Sequence, residues 1–236
     1  MTHAFVALNF SFMNDYGSYY VTGAWTTVKL AFFTVLFGGL AGMLISLLRL
    51  SGNVVLRFLA TAYIEVIRGT PLLVQLFIIY FSLPVGLEWI CLKLGLPGDL
   101  LAMSDFVAGV VTLSINSAAY VAEIFRAGIQ AVDKGQMEAA RSIGMPRWMA
   151  MVYIILPQAI RNILPALGNE FVVIIKESSQ VMVIGIAELM YNSNLIRGAT
   201  YISLEPLLVA AAIYFSLTFP LSKLLSYIER RLKTSD

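Results

Sequence analysis

From Leu30 to Leu48 the chain runs nineteen residues without a charged side chain. As a helix rising ~1.5 Å per residue, such a run covers the ~30 Å hydrocarbon core of a bilayer. Lipid offers no hydrogen bonds, so the backbone there must satisfy itself within a helix or a closed barrel. Comparable apolar regions follow at 58–83, 106–129, 158–175 and 204–225. Of the 236 residues, 59% are hydrophobic and 13% charged, with a mean hydropathy of +0.81. A soluble domain carries about a quarter charged residues. The expected fold is therefore all-α: a polytopic membrane protein of about five transmembrane helices in a single domain, 1–236.

The regions differ in detail. Residues 1–20, with Phe10, Phe12, Tyr16, Tyr19 and Tyr20, suit an interfacial surface segment. They do not read as a cleavable signal, because no basic residue precedes the apolar start. Gly38, Gly39, Ala41 and Gly42 make a patch that lets a second helix approach the first span closely. In the second region Pro71 cannot donate to the carbonyl of Ile67, which predicts a kink whose orphaned acceptor faces protein or water. Residues 84–105 read as a connection, and Ser104 with Asp105 as a cap for the third span. Pro165 and Gly168 are expected to interrupt the fourth span, and 176–199 to form a segment that partly re-enters.

Basic residues set the expected orientation. Arg49, Arg57, Arg126, Lys134, Arg141, Arg147, Arg161, Lys223, Arg230, Arg231 and Lys233 fall on one side, and Lys93, Lys176 and Arg197 on the other. The richer side is expected to be cytoplasmic, with the N-terminus outside and the C-terminus inside. A formal charge of +2 implies no nucleic-acid partner. One cysteine, Cys91, and one histidine, His3, leave little for a disulfide, a metal or a Ser-His-Asp hydrolase, so no enzyme is expected. The phosphate-binding pattern Gly-x-x-x-x-Gly-Lys-Ser/Thr does not occur, so any ATP belongs to another chain.

One stretch is not apolar. Residues 133–157 read as a short helix, a turn at Gly144 and a second helix begun by Pro146. Met137, Ala140, Ile143, Trp148, Met149 and Val152 form an apolar stripe on it. Taken alone, it could equally lie in the headgroup region as an amphipathic helix. Glu138-Ala139-Ala140, then Gly144, then Ile155-Leu156-Pro157, resembles the EAA loop of ABC-importer permease subunits. Residues 64–71, 115–120, 167–170 and 176–179 are similar to the polar amino acid branch, the glutamine-type importers in particular. The resemblance implies a type I ABC importer permease core without its own cofactor. Its partners would be two ATP-binding subunits, a second identical or homologous permease, an extracytoplasmic solute-binding protein and membrane lipid. It also implies that Glu138, Ala139, Ala140, Gly144 and Pro157 carry the coupling to the ATPase.

Intramembrane polar groups are the candidate solute contacts: Glu170, Glu177, Asn116 and Arg68. Seven residues are almost two turns, so Glu170 and Glu177 share a helix face. An ammonium group would suit two carboxylates that no near cation neutralises. Glu65 and Arg68, three apart, read first as a neutralising pair and second as pathway residues; Glu123 and Arg126 repeat the spacing. Two departures from the family pattern, at Glu170 and Glu177, leave the identity of the solute open. A self-contained secondary transporter or channel is the alternative, disfavoured by the docking loop and by the lack of an inverted repeat.

Overall fold

The computed structural model describes residues 8–233, with side chains described through residue 231. Residues 1–7 of the expected interfacial segment, His3 among them, lie outside the described residues, as do the side chains of Leu232 and Lys233 in the basic tail. Nine α-helices follow in order among the described residues: α1 Met13–Leu50, α2 Val54–Gly69, α3 Leu72–Lys93, α4 Asp105–Gln130, α5 Lys134–Ser142, α6 Arg147–Ala150, α7 Leu156–Glu177, α8 Leu189–Thr200 and α9 Glu205–Lys233. A π-helical turn, Met151–Ile155, joins α6 to α7, and a 3-10 helix, Ser178–Ile184, follows α7. Five stretches are long and apolar enough to cross a membrane: α1, α3, α4, the run Arg147–Ile184 and α9 through Arg231. Below, the end of the bundle that holds α5 is the loop end; the opposite end, where α7 delivers the chain to α8, is the far end.

The first helix begins at Met13, within the 1–20 segment expected to lie at the interface. Phe12 and Tyr20 are buried against Leu189, Ile196 and Ala210. The tyrosine hydroxyl donates to the carbonyl of Pro206 at 3.1 Å. Aromatic residues that look interfacial in a sequence are recruited here to hold α1 against α8 and α9.

Helices α1 and α4 run side by side in one direction. Gly38 packs on Ser114 and Ser117, and Gly42 on Ala118 and Val121, so the contacts advance along both helices together. A Cβ at Gly42 would stand 2.6 Å from the Cβ of Val121, which is why this position is small. Gly39 points to open space. Next to this pair, Leu30, Leu72, Leu76, Leu113, Val181 and Ile184 converge in a core shared by α1, α3, α4 and the 3-10 helix. The segment expected to re-enter is thus a packed part of the bundle.

Three expectations need correction. The second region is broken, not merely kinked: Thr70 and Pro71 are both extended, with ψ of 145° and 136°, and the membrane-length helix is α3, which continues through Pro84 to Lys93. The connection to α4 is therefore short, and Ser104 caps α4 by accepting from Val107 N–H at 3.4 Å. Pro165 and Gly168 do not interrupt α7; a side chain at Gly168 would collide with Leu225, so the glycine serves the approach of α9. Lastly, Pro157 does not close the central loop, because α6 passes through the π-helical turn directly into α7, with Pro157 in its first turn.

Candidate functional site

Helix α4 carries a polar seam that ties its neighbours together. Asn116 Nδ2 donates to Gln75 Oε1 on α3 at 2.9 Å. Ser117 donates from its hydroxyl to Glu170 Oε1 on α7 at 3.1 Å. Almost two turns on, Glu123 accepts from Arg49 of α1 at 2.5 Å and pairs closely with Arg126. Arg68 of α2 stands 4.0 Å from the same carboxylate and lies over the Tyr120 ring at 5.5 Å. Three guanidinium groups thus share one carboxylate, and Arg68 holds it most loosely.

This arrangement revises two sequence expectations. Arg68 turns to Glu123 rather than to Glu65, whose side chain is exposed. Glu123 and Arg126 do pair, but as the centre of a cluster drawn from three helices. Successive helical positions point about 100° apart. Asn116 and Tyr120 therefore face α3 and α2, whereas Ser117, Val121 and Phe125 face α1 and α7; Glu123, nearer the loop end, is reached from both α1 and α2. Glu170 lies on the second side, at a groove of 360 Å³ walled mostly by apolar residues of α1, α4 and α7, among them Leu36, Met43, Phe125 and Leu167. Arg68 and Asn116 lie on the first side, so within one chain α4 stands between them and Glu170. Glu177, half-buried at the far end of α7, has no hydrogen bond or ion pair among the described residues.

At the loop end, Asp133 caps α5 by accepting from Gly135 N–H at 2.6 Å. Gly144 takes φ +83°. Its N–H donates to Arg141 O and that of Met145 to Ala140 O, each at 3.1 Å, which closes the helix in a Schellman motif. Ala140 is buried, and Met137 packs on Val132, Ile155, Ala159 and Ile163. Glu138 and Ala139 are exposed, and so are Ile143 (78%) and Trp148 (61%). The apolar stripe read from the sequence is therefore split: its first half fastens the loop to the bundle, and Ile143 and Trp148 face outward.

Two polar residues were not foreseen. Gln75, uncharged and lodged in an apolar run, has no motif to mark it. Glu188 is fully buried. It accepts from the N–H groups of Met190 and Tyr191 at 2.9 and 2.6 Å, from Tyr214 Oη at 2.7 Å and from Thr27 Oγ1 at 3.5 Å. Burial pushes its carboxyl above the usual range, and these donors oppose the shift. Glutamate is a poor N-cap by propensity, so a cap that also joins α1 and α9 leaves no trace in local sequence.

The chain is a multi-pass helical bundle with a braced polar loop at one end and buried polar groups between its spans. Over residues 30–234 the chain matches the family of binding-protein-dependent transport system inner membrane components, and it belongs to that family. It is 41% identical to the arginine transport system permease protein of Bacillus subtilis over 210 residues, 89% of this chain and 90% of that one. A Rickettsia typhi protein named as a glutamine transport system permease is 39% identical over 212 residues, 90% of this chain and 92% of its own. Among solved structures, that of an amino acid ABC transporter with histidines superposes with a TM-score of 0.84 at 50% identity, covering 96% of this chain and all of the other.

Proposed function

We propose that this chain is the transmembrane subunit of an ATP-driven importer of polar amino acids, with the loop end in the cytoplasm. The observation that carries the reading is the α5–Gly144–Trp148 element. Its backbone is closed by its own hydrogen bonds and its inner side is packed, while Ile143 and Trp148 are left to a partner. Two ATP-binding subunits would press on two such loops, a second permease subunit would complete the pathway, and a solute-binding protein would load the far end. Relatives named for arginine and glutamine transport support an amino acid as solute.

Glu170 and Glu177 are the proposed contacts for the solute ammonium group, and Arg68 for its carboxylate, with Asn116 shaping the wall. Because α4 separates the two sets within one chain, the solute would lie where two permease subunits meet. A charge-assisted hydrogen bond to an ammonium group contributes ~1.5–3 kcal/mol, about tenfold or more in affinity. The test begins with purification alongside neighbouring gene products and continues with reconstituted uptake of L-glutamine and L-arginine. An ATPase should co-purify, and uptake should require ATP and weaken in Glu170→Gln at low solute. ATP-independent uptake by the chain alone would favour a secondary transporter. Unchanged uptake in both Glu170→Gln and Glu177→Gln would leave these carboxylates a structural role.

A further inference from the structure

The break between α2 and α3 is closed by one side chain. Where the backbone turns extended at Thr70 and Pro71, the carbonyls before it lose their helical donors. The two hydrogens of Gln75 Nε2 are shared among three acceptors in that gap, Ile67 O at 2.7 Å, Thr70 O at 3.0 Å and Thr70 Oγ1 at 2.8 Å. The threonine hydroxyl in turn donates to Val66 O at 2.9 Å. Turning the Gln75 amide over would set its oxygen against carbonyl oxygens; the donation from Asn116 to Oε1 holds it the right way round. Gln75 and Asn116 are each 5% exposed, so water is a poor substitute for either.

Helix α2 has little else to position it. Only Ala60 and Ile64 are buried along its length. Its other polar ties to α4 include Tyr63 Oη to Ile115 O at 2.5 Å, the 4.0 Å approach of Arg68 to Glu123, the Arg68 guanidinium over the Tyr120 ring and the attraction of Glu65 for Arg126. Arg68 precedes Thr70 by two residues, so whatever holds the break also places the guanidinium. We infer that Gln75 is a positioning residue of the translocation pathway: its amide clasps the Thr70–Pro71 break and, through Asn116, fixes α2 and Arg68 against α4. The clasp lets α2 differ in direction from α3 without leaving backbone acceptors bare in the membrane. It also makes the angle between them depend on a pair of amides that one helix shift can release.

This role rests on the transport reading proposed above, and the experiment separates the two. In the complex reconstituted with its ATPase and binding protein, amide hydrogen exchange is followed in peptides covering residues 64–76. Uptake per ATP hydrolysed is measured with L-glutamine and L-arginine as probes. Gln75→Leu should raise exchange across the break about tenfold or more, as expected for a lost buried hydrogen-bond group, with the rest of the chain unchanged. Uptake per ATP should fall several-fold, roughly in step with it. Gln75→Asn and Asn116→Gln should each do the same, and the double variant exchanging the two side chains should return both readouts to within about twofold of the parent. Native exchange and native uptake per ATP in Gln75→Leu would overturn the assignment. So would a swapped variant no better than the singles, with exchange raised throughout the chain, because that is general destabilisation. If the parent complex takes up neither probe, the transport reading is what fails, and exchange across the break still decides the clasp.

Discussion

Two of the turns beside a proline, Thr70–Pro71 and Gly144–Pro146, are built in different ways. At Gly144 the backbone largely satisfies itself: the Schellman bonds occupy the carbonyls of Ala140 and Arg141. Arg141 Nη1 donates to Met145 O at 3.2 Å and Ser142 Oγ to Ala139 O at 2.8 Å, so only local polar side chains assist the turn, and Ile143 and Trp148 stay exposed. At Pro71 the break lies among apolar spans, where a bare carbonyl costs several kcal/mol, and Gln75 and Asn116 are committed to closing it. The first turn leaves its exposed apolar side chains unspent, whereas the second, although Thr70 and Pro71 are themselves exposed, commits two buried amides to its carbonyls.

Gly144→Val strikes the first turn at its backbone and should have the largest effect. A β-branched residue at φ +83° costs at least ~1–3 kcal/mol, and the turn cannot relax without moving α5. ATPase association and uptake should fall together by more than about tenfold while insertion persists; co-purification against expression level checks this. A pair of variants then probes the split stripe. Met137→Ser should lower thermal stability by ~1–2 kcal/mol through lost packing, whereas Ile143→Ser should leave stability alone and weaken ATPase association. Equal effects on stability would show that Ile143 is not an outward contact.

Pro71→Ala is expected to act less strongly. It restores an N–H, but Gln75 already occupies the acceptor at Ile67, so the break should persist and transport should change more than insertion, by roughly threefold. Cysteine-accessibility scanning of residues 65–72 reports the outcome, and uniform lipid burial there would contradict a break that faces protein. Thr70→Val should be smallest, ~0.5–1.5 kcal/mol, because Gln75 keeps two of its three acceptors. A larger loss in a thermal melt would place more of the clasp on the hydroxyl.

Some of the site was legible beforehand and some was not. The need for a partner at Ile67 O follows from one proline in an apolar run, yet nothing nearby names Gln75 as that partner or Asn116 as its support. Asn116 reads as a solute contact because it is polar within a span; its Nδ2 is engaged by Gln75. Glu65 and Arg68 have the spacing of a pair, but Glu65 is exposed and Arg68 instead approaches Glu123 to 4.0 Å, over the Tyr120 ring. Spacing along one helix shows who could meet, and neighbouring helices decide who does.

The sequence by itself determined the number of spans, the helix–turn–helix form of the loop and the family. These depend on run length, on left-handed backbone at one glycine and on motif spacing, all of which are local. Tertiary structure decided that α2 and α3 are separate helices, that Pro165 and Gly168 leave α7 whole, that α1 recruits Tyr20, and that Glu188 is buried. It also set Arg68 and Glu170 on different sides of α4. The reason is rotational: a span that is apolar nearly all round carries little information about which face meets which neighbour. Close approach at Gly38, Gly42 and Gly168 and the pairing of buried polar groups supply that information only once the helices are together.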